Sequence, residues 1–330
     1  MCNSYNAFTA RGFAITCVWK SGERMVNGVI NVRKESGMTS FDVVARMRRI
    51  FGQKKIGHTG TLDPDAEGVL PVCLGMATRL VESLTKGTKT YEAVLLLGVT
   101  TDTQDTSGKV LTEQDVTVGE EEVKAAVLSF AGEQEQIPPM YSAIKVNGQK
   151  LVDLARRGVE VERKARKVEF SEIIIKKIDL PRIRFSVTCS KGAYIRTLCE
   201  DIGNRLGCGG CMESLLRTRV GQFGIEDAYT LDEIRTMKES EDLKAGGAAD
   251  QYSFVRPLDA FYMDLPALNV QESLDKAVFN GNSFRVRGTS SQTEPEFFRI
   301  YSSDGTFIGI YKKEGRIMKP EKMFYSPVQQ

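Results

Sequence analysis

One stretch of the chain, residues 56–70, combines residue types from which a catalytic loop can be built. It contains His58, the only histidine of the 330 residues, and Asp63, which lies between a glycine-containing turn and Pro64. Loops held by a rigid scaffold often carry the reactive groups of an enzyme. We therefore predict that this loop presents Asp63 as a lone carboxylate. The alternative is a simple turn, because aspartate and proline are common in turns without a chemical role.

Other catalytic classes lack their sequence signatures. No G-x-S-x-G elbow accompanies His58, and neither G-x-x-x-x-G-K-[ST] nor a G-x-G-x-x-G after a strand is present. Cys208 and Cys211 form an isolated C-x-x-C, whereas a structural zinc ion needs a second pair of ligands. A carboxylate nucleophile remains, because aspartate can attack a sugar carbon or an activated ring without a cofactor. We therefore expect no metal and no cofactor.

Two distant residues are candidates for the same site. Tyr91 opens an apolar run that predicts a buried strand, from which its ring could reach a cleft. Arg196 stands at a predicted strand-to-helix junction beside an apolar stripe, where a buried guanidinium needs an anionic partner. Next to Asp63 it would hold the carboxylate ionised and oriented. The alternatives are a core position for Tyr91 and a surface position for Arg196.

Basic residues are concentrated in two clusters, although the formal net charge is only +2. The first cluster flanks the approach to the His58–Asp63 loop: Arg33, Lys34, Arg46, Arg48, Arg49, Lys54 and Lys55. The second comprises Lys145, Lys150, Arg156, Arg157, Arg163, Lys164, Arg166 and Lys167. A polyanionic partner would have to be bound by such local patches rather than by the field of the whole molecule.

Cysteine usage and hydropathy indicate the compartment. The seven cysteines are odd in number in a large chain, which is typical of reduced thiols in a cytoplasmic protein. No apolar run approaches the roughly 20 residues that a membrane-spanning helix needs.

The local patterns predict an α+β protein rather than a regular βαβ repeat. Thr39 and Asp42 form a capping box for a helix that would bury Phe41, Val44, Met47 and Phe51. Residues 238–251 are polar and rich in glycine and alanine, which suggests a linker or a loosely packed helix. Short strands after Pro266 predict a small β-rich appendage. Residues 1–24 show no clear pattern and are interpreted as a frayed tail or a misassigned start.

Several segments, taken together and in order, resemble the TruB family of bacterial tRNA pseudouridine synthases, which isomerise uridine 55 in the T arm. The resemblance extends from about Gly28 to Gln222. The segments are 37–40 (GMTS), 57–70, 89–91 (KTY), 101–105 (TDTQD), 137–143 (IPPMYSA), 194–196 (YIR) and 217–221 (RTRVG). The chain departs from the family at 34–37 (KESG), which lacks the usual proline, at Cys211, where a histidine is common, and at Leu216, where an arginine is common.

The resemblance implies a pseudouridine synthase fold with a mixed, mostly antiparallel central sheet flanked by helices. The implied organisation is an N-terminal extension (1–24), a catalytic domain (25–262) with a thumb-like basic insertion at about 137–167, and a PUA-like RNA-binding domain (263–330). It also implies tRNA as the partner, bound by its T-arm stem-loop and at its acceptor stem, with no membrane and no obligate protein partner. The expected form is a cytoplasmic monomer.

Carried over by position, the resemblance makes Asp63 the nucleophile and Arg196 its partner. Tyr91 would stack on the target base or assist proton removal from C5, and stacking is favoured because a phenol with a pKa of about 10 is a poor base. The adduct would form either at the ribose anomeric carbon or on the uracil ring. Leu215 would pack against the flipped base, and His58 would enter the T loop in its place.

The remaining implied contacts concern substrate and backbone. Lys34 and Asp102 would contribute to substrate binding. The RNA backbone would be bound by cations of the thumb: Lys145, Lys150, Arg156, Arg157, Lys164, Arg166 and Lys167. Two other functions stay open. One is an RNA-folding module that opens and re-forms the tRNA elbow. The other is the guide-RNA-dependent archaeal and eukaryotic relative, which would need guide RNA and partner proteins.

Overall fold

A nine-stranded mixed sheet and a separate five-stranded sheet frame the protein. The structure, a computed structural model, describes residues 17–18, 24–245, 252–286 and 295–325. The predicted N-terminal extension therefore lies almost wholly outside the described residues. The helices are α1 (Ser40–Phe51), α2 (Val81–Thr85), α3 (Glu120–Leu128), α4 (Leu151–Ala155), α5 (Ile195–Leu206), α6 (Leu231–Ala245) and α7 (Glu272–Phe279).

The strands range from two residues to the fourteen of β12. They are β1 (Cys17–Val18), β2 (Arg24–Met25), β3 (Gly28–Lys34), β4 (Ile56–His58), β5 (Glu67–Leu74), β6 (Lys89–Leu97), β7 (Val99–Thr101), β8 (Val110–Glu113), β9 (Gly132–Gln136), β10 (Lys145–Val146), β11 (Gln149–Lys150), β12 (Arg166–Asp179), β13 (Arg182–Cys189), β14 (Gly210–Val220), β15 (Phe223–Gly224), β16 (Ala267–Asn269), β17 (Phe284–Arg285), β18 (Phe297–Tyr301), β19 (Phe307–Glu314) and β20 (Ile317–Met323).

The large sheet has the order β3-β5-β14-β6-β13-β12-β9, with β4 paired to β5 and β15 to β14. Every pair in it is antiparallel except β5 with β14. Apolar clusters lie on both faces of β5: Leu70 and Val72 join a cluster with Met47 of α1, and the alternate residues Val69 and Cys73 join another. The prediction of an α+β fold with a mixed, mostly antiparallel sheet is confirmed.

Helix α1 begins as its sequence predicts but buries a different face. Thr39 caps it, and the reciprocal bond from the Thr39 amide to Asp42 completes the capping box. The prediction that Phe41 is buried was wrong, because 64% of this side chain is exposed. The buried stripe runs through Val43, Val44 and Met47. At about 100° per residue, its centre lies roughly a quarter turn away from Phe41.

The region predicted as a linker or a loosely packed helix is helical in its first part. Helix α6 continues to Ala245, so residues 238–245 are helical, and residues 246–251 lie outside the described ranges. Leu231 and Ile234 are its buried residues. The polar second half shows little amphipathic pattern, which is why the sequence did not distinguish it from a linker.

The small sheet has the order β16-β18-β19-β20-β17 and confirms the predicted C-terminal β-rich region. Val278, Tyr311 and Met318 belong to its own apolar cluster. Phe307 and Phe324 instead join a cluster that contains Val69 and Phe223 of the large sheet. The small sheet therefore packs on the large one through a shared apolar cluster. Across the described parts of the chain, no helix has the length and apolar character needed to cross a membrane.

Candidate active site

A cleft of about 610 Å³ opens beside the loop that joins β4 to β5. Asp63, Tyr91, Arg196 and Leu215 all line it. They come from this loop, from β6, from the first turn of α5 and from β14, which lie far apart in the sequence. The structure thus brings the three predicted catalytic residues and Leu215 together.

Asp63 and Arg196 form a two-point ion pair in the cleft. Arg196 Nε lies 3.0 Å from Asp63 Oδ2, and Arg196 Nη2 lies 3.4 Å from Asp63 Oδ1. The Arg196 side chain is 5% exposed, whereas that of Asp63 is 39% exposed. The guanidinium is therefore buried behind the carboxylate, and the carboxylate faces the open space. This fork geometry fixes the orientation of the Asp63 oxygens.

Three further groups hold Arg196 in place. Nη1 donates to Thr103 O at 3.0 Å, and Nη2 donates to Tyr141 O at 2.8 Å. Asp105 Oδ2 lies 3.6 Å from Nη1 and adds a second negative charge. A buried guanidinium that is bonded in this way has little freedom to turn, so Asp63 meets a fixed partner.

The electrostatic environment of Asp63 contains opposing contributions. Burial in the surrounding protein raises the pKa of its carboxyl, and the positive charge of Arg196 opposes this rise. Asp105 raises the same pKa further, and Lys34 lowers it. Poor solvation makes an ionised carboxylate more reactive toward an electrophile than one in water. The arrangement suits a nucleophile that is kept ionised by the guanidinium.

The Asp63 loop is anchored from below by β3 and α1. The ammonium of Lys34 is buried and donates to Pro64 O at 2.8 Å and to Ala66 O at 2.6 Å. Burial lowers the pKa of Lys34 to about 8. Ser40 Oγ accepts a bond from the Leu62 amide at 2.9 Å. These contacts support a role for Lys34 in shaping the loop; its predicted contact with substrate stays a prediction.

Arg217 is a functional candidate that our reasoning from sequence did not single out. It is 1% exposed and donates to three carbonyls of the loop and of β5: Val69 O at 2.7 Å, Gly60 O at 3.2 Å and Thr61 O at 3.3 Å. In the register of the sheet, Arg217 lies between Gly68 on β5 and Tyr91 on β6. The segment 217–221, quoted for the family resemblance, contained the signal.

The close approach of β5 to β14 at this point requires glycine. Gly68 has a φ of +109°, and a Cβ added to it would lie 2.2 Å from Arg217 O. Any side chain would therefore push the two strands apart. Gly68 allows the loop to enter the sheet directly beside the residue that anchors it.

Tyr91 and Leu215 form an apolar part of the cleft wall. Both are buried, and they stand on the neighbouring strands β6 and β14. Burial raises the pKa of the Tyr91 phenol, while Arg217 lowers it. The phenol is therefore neutral at physiological pH and a weak base. Its ring supplies a flat surface of the kind on which a nucleobase stacks.

Three predicted substrate-binding residues, His58, Asp102 and Lys34, lie outside the lining of this cleft. His58 ends β4 and is half-buried, and its Nδ1 accepts a bond from the Gly60 amide at 3.3 Å. Burial lowers its pKa, so the ring is neutral at pH 7. Asp102 accepts from the Lys109 amide at 2.7 Å, which places it in the turn between β7 and β8. Within the 101–105 motif it is Asp105, which we had not singled out, that reaches Arg196.

The thumb-like segment forms the opposite wall. Its hairpin of β10 and β11 and its helix α4 precede β12, and Tyr141, Val152 and Arg156 line the cleft. The seven predicted backbone-binding cations are all exposed: Lys145, Lys150, Arg156, Arg157, Lys164, Arg166 and Lys167. Within the described residues, none of them forms an ion pair.

Cys208 and Cys211 are free, buried thiols.

Comparison with known proteins gives matches to family models and to curated relatives. The model of the TruB family pseudouridylate synthase N-terminal domain matches residues 48–195. The model of the tRNA pseudouridylate synthase B C-terminal domain matches residues 196–261. The tRNA pseudouridine synthase B of Clostridium kluyveri is 42% identical over 300 residues, which are 91% of this chain and 100% of the relative. That of Lachnoclostridium phytofermentans is 46% identical, with 91% of this chain and 100% of the relative covered.

Solved structures share the fold across most of the chain. A chain in a Cbf5-Nop10-Gar1 complex is similar with a TM-score of 0.64 and 28% identity, over 91% of this chain and 85% of that one. A chain in an H/ACA RNP bound to a substrate RNA containing 2'-deoxyuridine gives a TM-score of 0.63 and 26% identity, over 90% and 84%. The family models, the curated relatives and the fold agree: this chain belongs to the TruB family of tRNA pseudouridine synthases, which are isomerases.

Proposed function

We propose that this protein isomerises uridine 55 in the T arm of tRNA to pseudouridine, with Asp63 as the nucleophile. The observation that carries the proposal is the ion pair of Asp63 with the buried Arg196 in a cleft of about 610 Å³. The carboxylate is oriented by two contacts and open to the cleft on its other side. The family membership supplies the reaction class, and this pair supplies its reactive group.

The target base has to leave its stack to reach Asp63. Extrusion of a nucleotide costs a few kcal/mol, which contacts in the pocket must offset. Tyr91 and Leu215 supply a flat ring and an apolar side chain beside the carboxylate, and both suit the face of a uracil. His58 stands at the end of β4, at the start of the same loop. There its neutral ring would occupy the space that the base vacates.

The reaction rearranges bonds within one nucleotide. Asp63 forms an adduct, at the ribose anomeric carbon or on the uracil ring, and the N-glycosidic bond breaks. The base turns in the cleft and joins the ribose through C5, and the bond between Asp63 and the nucleotide breaks, which restores the free carboxylate. C5 loses its proton and N1 gains one, so atoms and electrons balance. With its raised pKa the Tyr91 phenol is a poor base at neutral pH, so we assign it the stacking role.

The thumb-like segment and the C-terminal sheet would bind the rest of the tRNA. The exposed, unpaired cations around α4 suit phosphates of a stem-loop, which is recognised mainly by shape and backbone. We further propose that the protein acts as a monomer in the cytoplasm, without a protein partner. The small sheet, interpreted as a PUA-like domain at 263–330, would contact the acceptor stem.

The decisive experiment compares Asp63→Asn with wild type on a T-arm transcript. Pseudouridine at position 55 is quantified by chemical mapping, and affinity is measured on the same RNA. Removal of a nucleophile should lower the single-turnover rate by about 10³-fold or more, while affinity changes only a few-fold. The matched control is Asp65→Asn, since Asp65 is an exposed acid of the same loop. An unchanged rate in Asp63→Asn would contradict the assignment.

Similarity to a chain of an H/ACA RNP favours one alternative, dependence on guide RNA. Purified protein with T-arm RNA alone separates the two cases. Pseudouridine formation with only the T-arm substrate present supports the proposal. Activity that requires a second RNA or a partner protein supports the alternative. An RNA-folding role is compatible with either, and Asp63→Asn should leave it intact.

A further inference from the structure

An exposed aromatic ring lies on α1, outside the cleft. Phe41 is 64% exposed, and the Arg48 guanidinium carbon lies 5.7 Å from the centre of its ring. Of the large apolar side chains exposed in the described residues, none other comes from the region 26–70. A lone aromatic ring is too small an apolar patch to indicate a protein partner.

Both ends of this Phe41–Arg48 platform are tied to the candidate catalytic loop. At one end Ser40, next to Phe41, is bonded to Leu62 through its Oγ at 2.9 Å. At the other end Arg48 Nη2 donates to Ile56 O at 3.5 Å. Ile56 begins the strand that ends at His58. The platform therefore lies next to the Asp63 loop and to the strand that precedes it.

The charges around the platform are positive. Arg46, Arg49 and Lys54 are exposed, and none of them forms an ion pair within the described residues. Asp42, the acid of α1, is bonded to the Thr39 amide and hydroxyl in the capping box. Within the described residues, the only hydrogen bond of the Arg48 guanidinium is the long one from Nη2 to Ile56 O at 3.5 Å, so its other Nη hydrogens remain for a phosphate.

We propose that the Phe41–Arg48 platform binds an unpaired nucleobase of the tRNA other than the target uridine. The base stacks on the open face of the Phe41 ring, and Arg48 with its basic neighbours binds the adjoining phosphate. Rings on basic surfaces bind single-stranded nucleotides in this way because every base has a flat face. The inference rests on the proposed function only in that tRNA is the ligand; it assigns no step of the reaction to Phe41.

The test measures binding by two RNAs, the full-length tRNA and the isolated T-arm stem-loop. Phe41→Ala should raise Kd by about 5- to 150-fold, the range observed for loss of one stacked base. Phe41→Trp should restore tight binding, since it keeps a flat ring. Leu243→Ala removes another exposed apolar side chain, on α6, and is the matched control. A loss with both RNAs places the base in the T loop, and a loss only with full-length tRNA places it elsewhere.

Unchanged affinity of Phe41→Ala for both RNAs would overturn the proposal, as would an equal loss in Phe41→Trp. A change in oligomeric state with unchanged RNA affinity would assign the ring to a protein contact and would also overturn it. Because Phe41 is exposed, we expect the unfolding temperature to be unchanged, and it is measured alongside. The readout is affinity, so absence of pseudouridine in the wild type would reject the proposed function without touching this result.

Discussion

The floor of the site, by which we mean the Asp63 loop with Arg196, Arg217 and Lys34 packed around it, and the thumb-like segment use positive charge in opposite ways. On the floor, Arg196, Arg217 and Lys34 are buried, and each is bonded to several acceptors. In the thumb-like segment, cations such as Lys164 and Arg166 are exposed, and no ion pair within the described residues engages them. The difference separates charges that fix the geometry of a reactive group from charges that are available to a polyanion.

The free-energy cost of burying a charge explains the contrast. A buried cation without partners would cost several kcal/mol, so each one on the floor is surrounded by carbonyls or carboxylates. An exposed lysine keeps its hydration and becomes favourable when a phosphate releases its counterions. If this division is correct, substitutions on the floor should alter turnover, and substitutions in the thumb should alter affinity.

The largest effect is expected from Arg196→Lys. Lysine retains the charge but cannot reproduce the two-point contact with Asp63 or the bonds to Thr103 O and Tyr141 O. We expect the single-turnover rate to fall by about 100-fold because the nucleophile loses its orientation, with little change in RNA affinity. Arg205→Lys, at the exposed end of the same helix, is the matched control. Equal losses of rate and affinity would break the division between floor and thumb.

A smaller effect on binding is expected when Lys164, Arg166 and Lys167 are all changed to glutamine. If each contacts one phosphate, the slope of log K against log salt should become shallower by about 2 to 3. We expect affinity to fall by about tenfold at moderate salt, while the rate at saturating RNA stays within a few-fold. The control carries the same charge change at Lys124, Lys176 and Lys177, away from the cleft. A salt slope equal to that of wild type would remove these three cations from the interface.

The smallest effect is expected from Asp105→Asn, which changes the electrostatic environment of Asp63. As the proposed nucleophile, Asp63 must be ionised to attack, so we expect activity to be lost as the pH falls through its pKa. Asp105 raises that pKa, and Asp105→Asn should therefore lower it and move the acid limb of the pH–rate profile to lower pH, by less than about one unit. Asp102→Asn, in the same turn but away from Asp63, is the control. A limb that moves to higher pH would show that Asp105 acts mainly through Arg196.

Local patterns predicted the elements well where one segment determines its own structure. The cap at Thr39 follows from the capping-box pattern, and the strand that carries Tyr91 follows from its apolar run. Motifs shared with a family predicted that Asp63 and Arg196 meet. Phe41 was misplaced because an apolar residue in the first turn of a helix need not belong to the buried stripe.

Residues that act across the sheet were harder to predict. Arg217 anchors the Asp63 loop only because β14 pairs in parallel with β5, and no local pattern encodes a pairing between segments so far apart. In the sequence, Lys34 looks like an ordinary surface lysine. Only the folded loop shows the backbone carbonyls that surround its ammonium group. In both cases the partners are backbone atoms, which carry no sequence signal.

The parallel pairing of β5 with β14 also has a consequence for biosynthesis. Residues 56–70 leave the ribosome early, but the side chain that organises their carbonyls belongs to Arg217. The nascent protein therefore holds an unfinished reaction centre until β14 has emerged and inserted between β5 and β6. The ability to modify RNA is therefore acquired late in translation, when β14 joins β5 to β6.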